Sequence, residues 1–141
     1  MPTSTYSKFH QFVEDLAHKV HDLETDSLRV ALCAAANPPS VSAHAVLANL
    51  TTVSLANLAD PSITIASSGQ TSGTYTLTLS DKTLTASGGS VGPFRYVIVY
   101  NDTPTSPADP LLGYYDYGSD ITLNAGESLL VDFAASTLTI T

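Results

Sequence analysis

An alternation of apolar and hydroxyl residues that begins at Ser62 constrains this chain more than any other feature. Ser62-Ile63-Thr64-Ile65-Ala66 and Thr74-Tyr75-Thr76-Leu77-Thr78-Leu79 place an apolar side chain at every second position. A period of two sends those side chains to one face of a pleated strand and the hydroxyls to the other. Thr suits the solvated face, because β-branching favours strand geometry and its hydroxyl is easily hydrated. Further strands are predicted at Leu28–Cys33, Lys82–Ala86, Phe94–Asn101, Leu111–Tyr115, Asp120–Leu123, Ser128–Phe133 and Thr137–Ile140. Turn signals stand between them at Gly69-Gln70, Ser80-Asp81, Gly88-Gly89, Gly118-Ser119 and Asn124-Ala125-Gly126-Glu127. Short strands at this spacing predict a mainly β fold, an antiparallel β-sandwich of jelly-roll-like type.

The period is different at the start of the chain. Phe9, Phe12, Val13, Leu16, Val20 and Leu23 recur at steps of three and four, which predicts one amphipathic α-helix of about five turns. Ser4 or Thr5, or later Ser7, is available to cap it. The expected organisation is a helix within residues 1–27 and a β body over 28–141, one domain in all. Asn37-Pro38-Pro39-Ser40 breaks the first strand, residues 41–61 carry no clear period, and Val41 to Leu47 fits loop, short helix or strand equally, so the structure of residues 37–62 is left open. The helix cannot bury its stripe alone, so it is expected to pack on the body or on a neighbouring subunit.

Apolar residues make up 43% of the 141, enough to exclude a disordered acidic tail despite the net charge of -8. Lys8, Lys19, Arg29, Lys82 and Arg95 are dispersed, and no basic residue follows Arg95. A nucleic-acid surface needs clustered positive charge and anionic lipid attracts the same, so neither partner is expected. The N-terminus lacks a basic segment followed by an apolar one, so no signal peptide is predicted. No stretch approaches the ~18 apolar residues of a membrane span. A lone cysteine, Cys33, excludes an internal disulfide, and its β-rich surroundings predict a buried thiol.

Three patterns invite a chemical reading. Gly88-Gly89-Ser90-Val91-Gly92 matches G-x-S-x-G, but a nucleophile elbow needs a helix after the serine, and Pro93 with a strand follows instead. His10, Glu14, His18 and His21 share one helical face, yet the spacing is neither H-E-x-x-H nor a zinc finger, and a solvated face explains it. No catalytic, cofactor or metal residue is therefore assigned. Tyr96, Tyr100, Tyr114, Tyr115 and Tyr117 gather in the later strands, as in sheet cores, interfaces and occasionally sugar sites. Low overall charge suits stable assembly, since ordering long charged side chains at an interface costs entropy and desolvation.

The stretches Ser67–Tyr75, Thr85–Tyr96, Tyr100-Asn101-Asp102-Thr103, Gly113–Ser119 and Leu123–Glu127, with Val131-Asp132-Phe133, resemble small structural proteins of tailed bacteriophages. The N-terminal helix, Val20-His21-Asp22-Leu23 and Leu28–Leu32 are similar to the same group, whereas residues 37–62 are not. The resemblance implies a virion component made in the host cytoplasm, a capsid decoration or cement protein on the outer surface of the head. Its partner would be the major capsid protein, its state a homo-oligomer (dimer or trimer), and it brings no catalytic residue or cofactor. A tail or neck protein is the alternative, and a carbohydrate-binding attachment module the second. The expected packing or interface residues are Phe9, Phe12, Leu16, Val20, Tyr100, Tyr114 and Tyr115.

Overall fold

The most apolar run of the chain, Phe94 to Tyr100, forms the centre of the largest sheet in a computed structural model that describes residues 4–133 and 138–141. In chain order the strands are β1 (Ser7–Lys8), β2 (Leu28–Cys33), β3 (Ser62–Ile63), β4 (Ile65–Thr71) and β5 (Thr74–Leu79). They continue as β6 (Lys82–Thr85), β7 (Val91–Asn101), β8 (Leu111–Leu123), β9 (Ser128–Val131) and β10 (Leu138–Ile140). One α-helix, α1 (His10–Ala17), stands between β1 and β2. The fold is mainly β and antiparallel, as the alternation predicted. A five-stranded sheet runs β1-β8-β7-β2-β3, a three-stranded sheet β10-β5-β4, and β6 pairs with β9.

One hydrophobic cluster draws on all three sheets. Val30, Leu32, Val97, Val99 and Leu112 of the large sheet meet Leu77, Leu79, Leu84 and Leu138 of the small ones, with Phe94 fully buried. The opposite face of the large sheet is buried as well. Ala31, Cys33, Tyr96, Ile98, Tyr100 and Leu111 pack there with Phe9, under Leu47 and Leu50. This double burial explains why β7 is apolar at consecutive positions, whereas β5 alternates. The segment of undetermined type, residues 37–62, is thus mostly irregular. Its first half, with one 3-10 turn at Leu47–Asn49, covers that second face through Leu47 and Leu50, and its second half packs Val53, Leu55 and Leu58 on the main cluster. Asn49 Oδ1 holds the turn by accepting the backbone N–H groups of Ala45 and Val46.

Several boundaries differ from the sequence expectation. The helix has two turns, not five. It ends at Ala17, and just beyond it Lys19, with a φ of 65°, makes a left-handed cap: the Lys19 N–H bonds Leu16 O and the Val20 N–H bonds Asp15 O. Val20 and Leu23 therefore reach the body from an irregular turn. The helix also starts later, with Phe9 at its N-cap and no side-chain cap, because Ser7 and Lys8 are already paired with β8. Ser4 Oγ instead accepts the Asp116 N–H.

Gly69-Gln70 is not a turn but lies inside β4. The chain reverses at Ser72-Gly73, whose φ values of 51° and 86° are those of the tight turn that matches strand twist. The Gly118-Ser119 signal does not divide two strands either. β8 runs through it, and the register jumps from Phe94↔Ile121 to Tyr96↔Asp116, so the extra residues bulge out of one continuous strand. Arg95 pins the bulge by donating from Nε and Nη2 to the two oxygens of Asp116, at 2.7 and 3.0 Å. The predicted strand ends at Ala86 and Phe133 shorten by a residue or two, and Thr137 lies outside the described residues.

Candidate functional site

The residues expected to pack or form an interface separate into two groups. Phe9 and Phe12 are wholly enclosed by the chain itself, and Tyr100 is nearly so. Tyr114 is half-buried and its ring contacts Phe9 and Tyr96, while Tyr115 contacts Tyr6 and Phe133. Burial pushes the Tyr115 phenol up to about 12. The Tyr6 ring lies so close over Gly113 that any side chain there would collide with it. These rings are internal packing. Leu16 and Val20 are only partly covered, and they are the members of the set that reach a cleft.

That cleft, about 540 Å³, opens between the end of α1 and the three-stranded sheet. Leu16, Val20 and Leu23 come from the helix and its exit turn, and Tyr75 and Ile140 from β5 and β10. Its rim carries Lys19, Asp22, Glu24 and Asp26. Ile140 remains 39% exposed, one of three large hydrophobic residues in that state among the described residues, with Val13 and Leu130. An apolar floor inside a charged rim is an arrangement that binds another surface. The backbone of the exit turn is fixed locally: Asp22 Oδ1 accepts the Glu24 N–H, and Asp26 Oδ2 accepts the Asp22 N–H.

Behind the cleft lies a buried polar cluster that sequence reasoning missed. Asn101, fully buried at the end of β7, accepts the Thr103 N–H through Oδ1. Its amide nitrogen therefore donates, to Asp26 Oδ2 at 2.6 Å and to His21 Nδ1 at 3.0 Å. With Nδ1 accepting, the neutral His21 ring carries its proton on Nε2. The ring packs on Phe12 at 4.9 Å between centroids, and Asp15 lies on the same side, 5% exposed. A polar residue closing an apolar strand was the available signal, since a buried Asn there has to find partners.

Burial holds the His21 pKa below its ordinary value, although Asp15 and Asp26 oppose the shift. The unfolded chain takes up this proton near pH 6.5 and the folded chain only at lower pH, so unfolding absorbs protons in between. Stability is expected to fall as the pH drops below about 6.5, by at most about 1.4 kcal/mol per pH unit from this group. Urea midpoints measured from pH 7.5 to 5 check this, and His21→Gln should flatten the slope. Asp22, held low by Thr25 and Glu24, and Asp116, held low by Arg95, act in the same direction only at more acid pH.

The remaining patterns find other uses. His10 and His18 stay on the exposed side of α1 while His21 turns inward, so the four-residue array is dispersed. Among the described residues no group of three His, Cys, Asp or Glu side chains gathers to hold a metal. Ser90 sits in the exposed loop leading into β7, and its carbonyl accepts from Asn57 Nδ2. Burial raises the Cys33 thiol to about 11, so thiolate is scarce near neutrality. Among the described residues no helix is long and apolar enough to cross a membrane. Comparison with protein-family models, curated proteins and solved structures finds no match for this chain.

Proposed function

We propose that this chain is a structural protein of a tailed-phage virion, a decoration protein on the outer surface of the head. It binds across major capsid subunits as a small homo-oligomer, dimer or trimer, and cements them by adding contact area. The observation that carries the reading is the cleft at the end of α1. Leu16, Val20 and Ile140 keep apolar surface open there, inside a charged rim of exposed Lys19, Asp22 and Glu24. Binding surfaces are built as an apolar centre with a polar border. The resemblance of the turn and core residues to phage structural proteins supplies the biological setting, and modest contacts repeated over many copies supply the strength. A sugar-binding role has less support, because Tyr96, Tyr114 and Tyr115 are engaged in tilted or edge-on ring contacts, Tyr96 with Tyr114, Tyr114 with Phe9 and Tyr115 with Phe133.

Microscopy of intact particles tests the assignment, with density expected over the junctions of the head shell. Density confined to the tail or neck would replace it. Ile140→Glu, at an exposed position, is expected to leave the fold intact and weaken co-sedimentation with particles about tenfold or more, as loss of a central apolar contact does. Unchanged binding would acquit the cleft.

A further inference from the structure

Each described edge of the sheets is guarded except one. β1 and β3 are two residues long, and Lys8 or Pro61 stands at each. β6, β9 and β10 have four, four and three residues; Lys82 opens β6 and Asp132 follows β9. β4 has seven residues, Ile65 to Thr71, with no charge and no proline. It pairs with β5 on one side, and among the described residues no backbone hydrogen bond reaches its other side. Proteins ordinarily shorten or charge such an edge, because its open N–H and C=O groups accept another strand.

We infer that β4 is a dimerisation edge, where a second copy of this chain adds its own β4 antiparallel about a two-fold axis at Gly69. The register follows from the hairpin. Thr71 and Thr74 close a two-residue turn and so exchange both hydrogen bonds. Bonding alternates along an antiparallel pair, so Gly69 also points its backbone groups at β5, while Ser68 and Gln70 point theirs outward. Placing Ser68 opposite Gln70 of a second copy forms four N–H···O=C bonds, two at each end of the contact. Gly69 then faces Gly69 at a non-bonded pair, the position where strands approach to about 4.5 Å between Cα atoms. A side chain at Gly69 would meet nothing within 4 Å in a single chain, so a substitution there can test the contact without disturbing the fold.

The strand is complementary to itself: antiparallel pairing about Gly69 sets Ser68 against Gln70 and Ser67 against Thr71, polar cross-strand pairs, and brings no carboxylate of either acidic chain into the contact. Antiparallel pairing of a strand with itself is isologous and closes at two copies. Ser68 lies opposite Leu77 and lines the cleft, so the two-fold carries both clefts to the same side of a continuous six-stranded sheet.

Sedimentation velocity of the full chain across about 1 to 100 µM tests the contact. A dimer is expected, tightening as salt screens the repulsion between two acidic bodies. Gly69→Glu, which places two carboxylates across the axis, is expected to raise the dissociation constant about tenfold or more. Gly69→Cys is expected to give a disulfide-linked dimer on mild oxidation, since the approach lies within the span of a disulfide and Cys33 is buried. A chain monomeric throughout would overturn the inference. So would a dimer that Gly69→Glu leaves unchanged, or cross-linking of Gly69→Cys to a different protein in place of a second copy.

Discussion

Phe9→Ala is expected to destabilise the chain by about 3–5 kcal/mol, a large part of the ~5–15 kcal/mol that holds a domain folded. Phe9 is 0% exposed and sits at the N-cap of α1, where its N–H bonds Leu112 O. Its ring reaches the second face of the large sheet, with Ala31, Cys33 and Ile98, and touches Tyr114. Truncation leaves a cavity between the sheet and the irregular segment above it. That segment is tied to its surroundings by bonds such as Leu47 N–H to Asp109 O, Leu111 N–H to Ala45 O and His10 N–H to Val41 O, which limit its collapse into the gap. Urea unfolding at constant pH measures the loss. A change below about 1 kcal/mol would mean that the second face is not a core but a loosely covered surface.

Asn101→Ala should cost about 3 kcal/mol for a different reason. The side chain uses both amide hydrogens, on Asp26 and His21, and its oxygen accepts the Thr103 N–H. Removing it strands a buried imidazole nitrogen and takes a charge-assisted donor from Asp26, and each loss costs about 1–3 kcal/mol. The effect is local to the junction of β7 with the exit turn of α1. The cleft should therefore loosen along with the fold: amide exchange in residues 20–27 is expected to accelerate more than in β5. Uniform acceleration across the chain would show that the cluster merely adds stability and does not shape the cleft.

Much of the architecture was legible because it follows from periods. A repeat of two commits Thr74–Leu79 to a half-buried strand whatever surrounds it, and the observed β5 has these bounds. The core character of β2 and β7 was equally plain from unbroken apolar runs. Helix length was not. The i, i+3, i+4 spacing of Phe9 to Leu23 is satisfied as well by two helical turns and a compact exit as by five turns, since both place Leu23 on the same core. Lys19 decides between them by taking a left-handed backbone that lysine rarely prefers, and the bonds to Asp15 O and Leu16 O hold it there. Gly69 and Gly118 misled for a related reason. Glycine permits a turn without requiring one, and pairing partners decide its use.

By itself the sequence determined fold class, strand content and the low, acidic charge, because these depend on local periodicity and on counting. Only the tertiary structure decided that Phe9 and Phe12 are interior while Leu16 and Val20 keep open surface, since all four lie on one apparent stripe. It also decided that Asn101, His21 and Asp26, far apart in the chain, share one buried cluster. And it decided that, among the described residues, nothing pairs with the outer edge of β4. Which side of a strand finds a partner is a long-range pairing choice, and no local pattern of side chains encodes it.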